Sequence, residues 1–125
     1  MKHPVVTKRV YETPEAQDGF RVFVDRLWPR GVSKESFSYD LWCKDLAPSP
    51  DLRKWFGHKA EHWDGFRDRY RAELHKLEQQ DRIGEVVAAA DGQHITLVYG
   101  AKDPQHNHAL ILADEMNRYV HTHKT

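Results

Sequence analysis

Runs of apolar residues with two different spacings divide this chain into short strands and longer helices. Residues 5–11 and 20–27 are short stretches rich in Val, Phe and Tyr, and the turn-forming segment ETPEAQDG lies between them. Two strands are predicted there. Trp28-Pro29-Arg30-Gly31 ends the second strand. Ser33 is placed to cap a short turn through Phe37, and residues 39–46 read as a weaker strand. Ser49-Pro50-Asp51 combines an N-cap, a proline in the first turn and an acid, which predicts a short helix ending near Gly57. Trp63, Phe66, Tyr70, Leu74 and Leu77 recur at steps of three and four, predicting a long helix over 61–79. A further helix is predicted over 81–90, stopping at Asp91-Gly92. HITLVY (94–99) is short, apolar and β-rich, the pattern of a buried strand. Asp103-Pro104 repeats the cap-plus-proline signal and predicts a last helix to about residue 121. Ala109, Leu112, Ala113, Met116 and Val120 would form its inner face.

Strands interleaved with helices predict a single α/β domain over residues 1–125. The expectation is two or three layers, with a short mixed or parallel sheet of about four strands flanked by helices. A chain of 125 residues can bury a real core without disulfide or metal staples. Fourteen aromatic residues, four of them Trp, supply material for that core.

Charge narrows the function classes. Nineteen basic and nineteen acidic residues balance, and neither half of the chain carries the basic excess of an electrostatic nucleic-acid binder. A nucleic-acid partner is therefore disfavoured, although Trp28 beside arginines suits stacking on bases. No run approaches the roughly 18 apolar residues of a membrane span, and the first residues lack an apolar leader core. With a single cysteine, Cys43, this predicts a cytoplasmic protein with no membrane partner. Oligomeric state cannot be read from these features.

Two loops after strands carry the candidate chemistry. In Asp25–Gly31, Arg26 and Arg30 flank Trp28, and Gly31 allows a close backbone approach, a combination suited to a planar or anionic ligand. The plain alternative is that Asp25 pairs with an arginine and Trp28 packs into the core. The second loop, YGAKDPQHNH (99–108), follows the buried strand and is predicted to open a helix. Lys102, Asn107 and the helix N-terminus would then cradle a phosphate or carboxylate, although no P-loop pattern is present. If the two strands are parallel neighbours, the loops converge. His106 is then the candidate general acid/base, with Asp25 orienting it or exchanging protons beside it. A third segment, DLRKWFGH (51–58), places Arg53 and His58 at a possible pocket edge, with Trp55 and Phe56 expected in the core.

The histidines raise a metal reading that their spacing does not support. His106 and His108 would point about 200° apart on a helix, and no paired Cys/His signature exists. No cofactor is identified. A haem held through His58 or His106 is the minority reading, because axial ligation needs only one or two histidines and an apolar slot. Cys43, beside Trp42, is expected to be a buried inert thiol.

DGFRVFVDRLWPRG (18–31), KDLAPSPDLRKWFGH (44–58) and LVYGAKDPQHNHALIL (97–112) resemble, in this order, the YeaO-like branch of the family DUF488. The likeness spans nearly the whole chain, and VDRLWPRG is its most distinctive string. The resemblance implies a small bacterial or archaeal protein whose family name records no activity. It maps family motifs onto Asp25, Arg26, Trp28, Pro29, Arg30 and Gly31; onto Lys44, Ser49, Arg53, Trp55 and Phe56; and onto Lys102, Asp103, His106 and Asn107. It places no weight on Cys43 or His108. Three kinds of function follow as expectations: a site binding or turning over a small phosphate- or nucleotide-like anion, a haem or metal binder, and a nucleic-acid or protein interaction module.

Overall fold

The computed structural model describes residues 5–123. Four strands, β1 (Val6–Arg9), β2 (Phe20–Phe23), β3 (Leu41–Trp42) and β4 (Ile95–Tyr99), form one sheet in the order β1-β4-β2-β3, with every pairing parallel. All five residues of β4 are buried, as a strand flanked on both sides and covered on both faces requires. Four helices follow the chain as α1 (Pro50–Phe56), α2 (Trp63–Leu74), α3 (Leu77–Ala90) and α4 (His108–Thr122).

Strand alternation sorts the core into two faces. Val22, Val24, Ile95, Leu97 and Tyr99 pack with the helices, against Phe66, Tyr70, Leu74, Ile83, Leu112 and Met116. Phe23 and Val98 point to the other face. There Val10, Trp28, Val32, Phe37 and Trp42 cover them, supplied by the end of β1, by β3 and by loops. That face also buries a polar cluster. Asp18 accepts from Lys8 Nζ (3.1 Å), Arg21 Nη1 (2.6 Å) and Glu15 N–H (3.0 Å), while Arg21 Nε donates to Ser38 O (2.9 Å). The domain is an α/β domain with a short parallel four-stranded sheet flanked by four helices.

Local signals explain several boundaries. Ser49 caps α1, its Oγ accepting from Leu52 N–H (3.2 Å), and Gly57 closes the helix in the left-handed region at φ 54°. The Ser49 hydroxyl also donates to Glu73 Oε2 (2.6 Å), and Ser49 N–H donates to Glu73 Oε1 (2.9 Å). This ties α1 to α2. Ser33 stops a single turn through Ser36 N–H (3.2 Å). The weak strand at 39–46 contracts to two residues, and the rest becomes a 3-10 turn at Lys44–Leu46.

Two helix expectations are corrected. The long helix does not run to residue 79: α2 ends at Leu74, and Lys76 is extended (ψ 146°) before α3 starts at Leu77. The apolar stripe passes straight through this break, so spacing alone conceals it. Leu77, placed by periodicity on the inner stripe, is 78% exposed. Leu77→Ser is therefore expected to change stability by less than about 0.5 kcal/mol, read from the denaturant midpoint. A loss of about 2 kcal/mol or more would place Leu77 in a core contact. The second correction concerns Asp103-Pro104, which does not open the last helix. Asp103 Oδ1 caps a local turn through Gln105 N–H (2.9 Å), and α4 begins at His108 with Asn107 as its cap, accepting from Leu110 N–H (3.2 Å). Trp55, expected in the core with Phe56, instead lies 37% exposed between the Arg69 guanidinium (3.8 Å from the ring centre) and the His62 ring (4.5 Å). Phe56 is buried as expected.

Candidate functional site

The pairing of β2 with β4 decides where the two candidate loops lie. Both strands run the same way, with Phe23 opposite Val98, so their carboxyl ends emerge side by side. Val24 N–H donates to Val98 O (3.1 Å), and the chain then turns out at Asp25 next to Gly100. In open parallel sheets this edge is where ligands bind. A cleft of about 660 Å³ opens there, within the range of small-molecule sites. Its walls come from Tyr11, from 25–30, from parts of the segment around α1, from Phe66, from Gly100 and Ala101, and from 106–108.

Asp25 sits in the lining of that cleft, fixed from three directions. Gly100 N–H donates to its Oδ2 (2.9 Å), and the Trp42 indole N–H donates to its backbone carbonyl (2.7 Å). A Cβ at residue 100 would lie 2.9 Å from Oδ2, so the bare backbone of Gly100 is what lets the carboxyl seat. The third neighbour is His108, whose Nε2 lies 3.4 Å from Oδ1. His108 Nε2 is also 3.0 Å from Val24 O. A carbonyl only accepts, so Nε2 carries a proton and donates. Burial pushes the Asp25 carboxyl above the usual range, although His108 and the Gly100 N–H oppose it. Burial likewise pulls His108 below its ordinary value, with Asp25 and the Val24 carbonyl working the other way.

Cations dominate the walls. Arg26, Arg30, Arg53 and Lys54 all line the cleft, against Asp25 as the one carboxylate among the described lining residues. Arg26 Nη2 reaches Pro48 O (3.3 Å), and its Nε is buried without a hydrogen bond. Arg53 and Lys54 are exposed on α1, whose start is clamped by Glu73. Arg30 is exposed, and its carbonyl accepts from the Tyr11 hydroxyl (2.9 Å). His58 stands at the rim in the left-handed region (φ 58°), an uncommon place for a residue with a side chain. His106 also lines the cleft. Its Nδ1 is 2.8 Å from Asp103 Oδ2, and its ring meets Trp63 edge-on at 5.2 Å. The bond from Gln105 N–H, and then that from His106, hold the Asp103 carboxyl below the usual range.

The structure thus brings together most of the residues named from sequence, but with different partners. Asp25, Arg26, Trp28, Arg30, Arg53, His58, His106 and Asn107 share one cleft. The expected orientation of His106 by Asp25 is not found: Asp103 holds His106, and Asp25 meets His108. Lys102 is exposed and outside the lining, because the helix expected at 103 starts five residues later. Gly31 is also exposed outside the lining, in the left-handed region at φ 75°, where it serves the turn. Trp28 touches the cleft, but its indole N–H is spent on Val32 O (2.7 Å). Its ring packs among Phe23 (6.2 Å), Phe37 (5.4 Å) and Trp42 (5.8 Å), the core role that stands as the plain alternative to stacking on a ligand.

Sequence reasoning misses three residues here. A helix starting at 103 puts His108 on the face opposite His106, which hides its approach to Asp25. Glu73 looks like one charge on a solvated helix face. Arg9, at the end of β1, donates through Nε to Ala101 O (2.9 Å) and supports the exit of β4. Strand order is the signal that would find it. Cys43, expected to be buried, is half-buried, and burial raises its thiol above the ordinary value.

Among the described residues, no group of three or more His, Cys, Asp or Glu side chains is arranged to hold a metal ion. No helix among them is long and apolar enough to cross a membrane.

Comparison with known proteins adds a family. Residues 4–125 match the family described as the inactive DUF488-N3 subclade. The uncharacterized protein YeaO of Escherichia coli (strain K12) is 45% identical over 108 residues, covering 86% of this chain and 91% of that protein. An uncharacterized protein of Mycobacterium tuberculosis (strain ATCC 25618 / H37Rv) is 38% identical over 109 residues, covering 87% of this chain and 90% of that protein. No solved structure matches.

Proposed function

Since the chain belongs to the DUF488 family, in the subclade described as inactive, we propose that its cleft binds a small phosphate- or nucleotide-like anion and holds it rather than transforming it. One observation carries this reading. In a chain of zero formal charge, four cationic side chains and a single carboxylate line one cleft of ligand size. Such a concentration of like charge in a concave site raises the local concentration of anions.

Arg26, Arg30 and Arg53 are the anion contacts, the guanidinium fork matching the oxygens of a phosphate or carboxylate. Asn107 borders the same space at the start of α4, where its side chain caps Leu110 N–H and donates to Asp103 O. Trp28 forms wall, and His106 offers a ring nitrogen that Asp103 does not occupy. Holding fits the subclade's description as inactive, and the described lining residues include no Ser, Thr or Cys, which leaves Tyr11, Asp25, Lys54 and the histidines as the groups a reaction could use. Asp25 and His106 are the groups that would exchange protons with a ligand. Each is engaged by a separate partner, so they do not form a relay.

A melting panel of nucleotides, phosphosugars, carboxylates, divalent metals and haemin tests this reading. A phosphorylated ligand at 100 times its Kd should add about 2.7 kcal/mol to wild-type stability. Arg53→Ala, at an exposed position, should fold normally and weaken that ligand about tenfold or more, the value of a charge-assisted hydrogen bond. Stabilisation by haemin or a metal alone would overturn the anion reading. Salt-sensitive binding to single-stranded oligonucleotide, with none to mononucleotides, would move the site to nucleic acid.

A further inference from the structure

The one carboxylate in a cationic cleft is the feature that the anion reading leaves unused. A carboxylate has about four acceptor positions. Asp25 fills one of them well, through Gly100 N–H at 2.9 Å. Its Oδ1 is fully buried and makes no hydrogen bond, with His108 Nε2 standing off at 3.4 Å because it serves Val24 O, so Oδ2, with an acceptor position left beside Gly100 N–H, is the oxygen a ligand would meet. The side chain is 22% exposed, in the lining of the cleft. Among the described residues, no arginine of the cleft forms an ion pair with it. Arg26 is turned to Pro48 O instead, so the cations and the carboxylate face the space independently.

A bare anion drawn in by Arg26, Arg53 and Lys54 meets repulsion from Asp25. An anion that carries its own proton meets an acceptor. Two tetrahedral oxyanions of nearly equal size differ in just this respect near neutral pH: phosphate keeps a hydroxyl, and sulfate has none. A site that presents a buried hydrogen-bonding group discriminates strongly against a ligand lacking the complement, since the group is then left unpaired. We propose that Asp25 makes the cleft selective for an oxyanion bearing a hydroxyl, hydrogen phosphate or a singly protonated phosphate monoester, over fully deprotonated tetrahedral anions. The inference rests on the anion-binding reading, and Asp25 is its specificity-determining residue.

Calorimetric titration at about pH 6.5 with inorganic phosphate and with sulfate decides it. Wild type should bind phosphate at least about tenfold more tightly than sulfate. Asp25→Asn, which keeps the shape and an acceptor for Gly100 N–H but removes the negative charge, should bring the ratio within about threefold by strengthening sulfate. A thermal melt checks that the variant is folded; if it is not, the wild-type ratio alone decides. Equal affinities in wild type would overturn the selectivity while leaving the anion site standing. A strong phosphate preference that survives in folded Asp25→Asn would remove Asp25 from the role. Binding of neither ion at tens of millimolar would overturn the anion reading and this inference together.

Discussion

Asp18→Ala lowers the unfolding free energy by about 3–5 kcal/mol, the expected cost of removing one partner from a buried ionic cluster. Asp18 is 5% exposed, beneath the early loops on the face of the sheet away from the helices. Lys8 and Arg21 converge on its carboxylate, and among the described residues neither pairs with another carboxylate except Glu15 for Lys8. Without Asp18, the Arg21 guanidinium, itself 6% exposed, retains only Ser38 O. Most of the loss comes from leaving that buried cation uncompensated, so Asp18→Asn recovers part of the shape and little of the stability. The pH dependence has a definite sign. Burial by itself would raise the Asp18 carboxyl, but the bonds from Glu15 N–H, Lys8 and Arg21 outweigh it and hold the group below its ordinary value. A folded-state value below the unfolded one means stability that is present above about pH 3.9 and lost as pH falls through the folded value. Urea midpoints from about pH 7 down to about pH 3 should show that acid loss in wild type and a shallower one in Asp18→Asn. Equal acid slopes, or a neutral-pH loss under about 1 kcal/mol, would show that the cluster is solvated rather than buried.

That cluster also marks what the sequence could reveal and what it could not. Local signals were legible. The run at 95–99 is β-rich and apolar because it is the strand covered on both faces, and Ser49-Pro50 caps a helix whatever surrounds it. Pairing between distant segments was not legible. Arg21 opposite Thr96, and Asp25 beside Gly100, are each separated by some 75 residues of chain and depend on strand order. The polarity of Arg21 inside a strand looks like a solvent-facing position, whereas it points into a buried ionic cluster. The break after Leu74 is another tertiary choice. Neither His75 nor Lys76 disfavours helix strongly, yet the chain leaves it there, with Lys76 N–H bonded to Glu73 O (3.2 Å) and Gln80 capping Leu74 O (2.7 Å). In the cleft, residue types were right and partnerships wrong, because one misplaced helix start moved His108 away from Asp25.

Phe23→Ala should cost about 3–5 kcal/mol and loosen the cleft at the same time. Phe23 has no exposed surface, and its ring meets Phe37 edge-on at 5.2 Å, Trp42 at 5.5 Å and Trp28 at 6.2 Å. This second core is small, with Val10, Phe23, Phe37 and Val98 as its buried members, so little remains to close the gap. Two of the indoles packed against it also act on the site. Trp42 holds the Asp25 carbonyl, and Trp28 fixes the loop that carries Arg26 and Arg30. A cavity under both rings removes the support that keeps these groups in place. Phe23→Leu, which keeps much of the volume, should lose under about 1.5 kcal/mol and hold the loop. The two effects separate experimentally: denaturant unfolding reads the core, and hydrogen exchange at the Trp28 and Trp42 indoles reads the loop. Faster indole exchange in Phe23→Ala under conditions where it remains folded, with slow exchange in Phe23→Leu, is the expected pattern. Unchanged indole exchange in Phe23→Ala would mean that the cleft is supported from the helical face alone, through Gly100, His108 and the Glu73 clamp on α1.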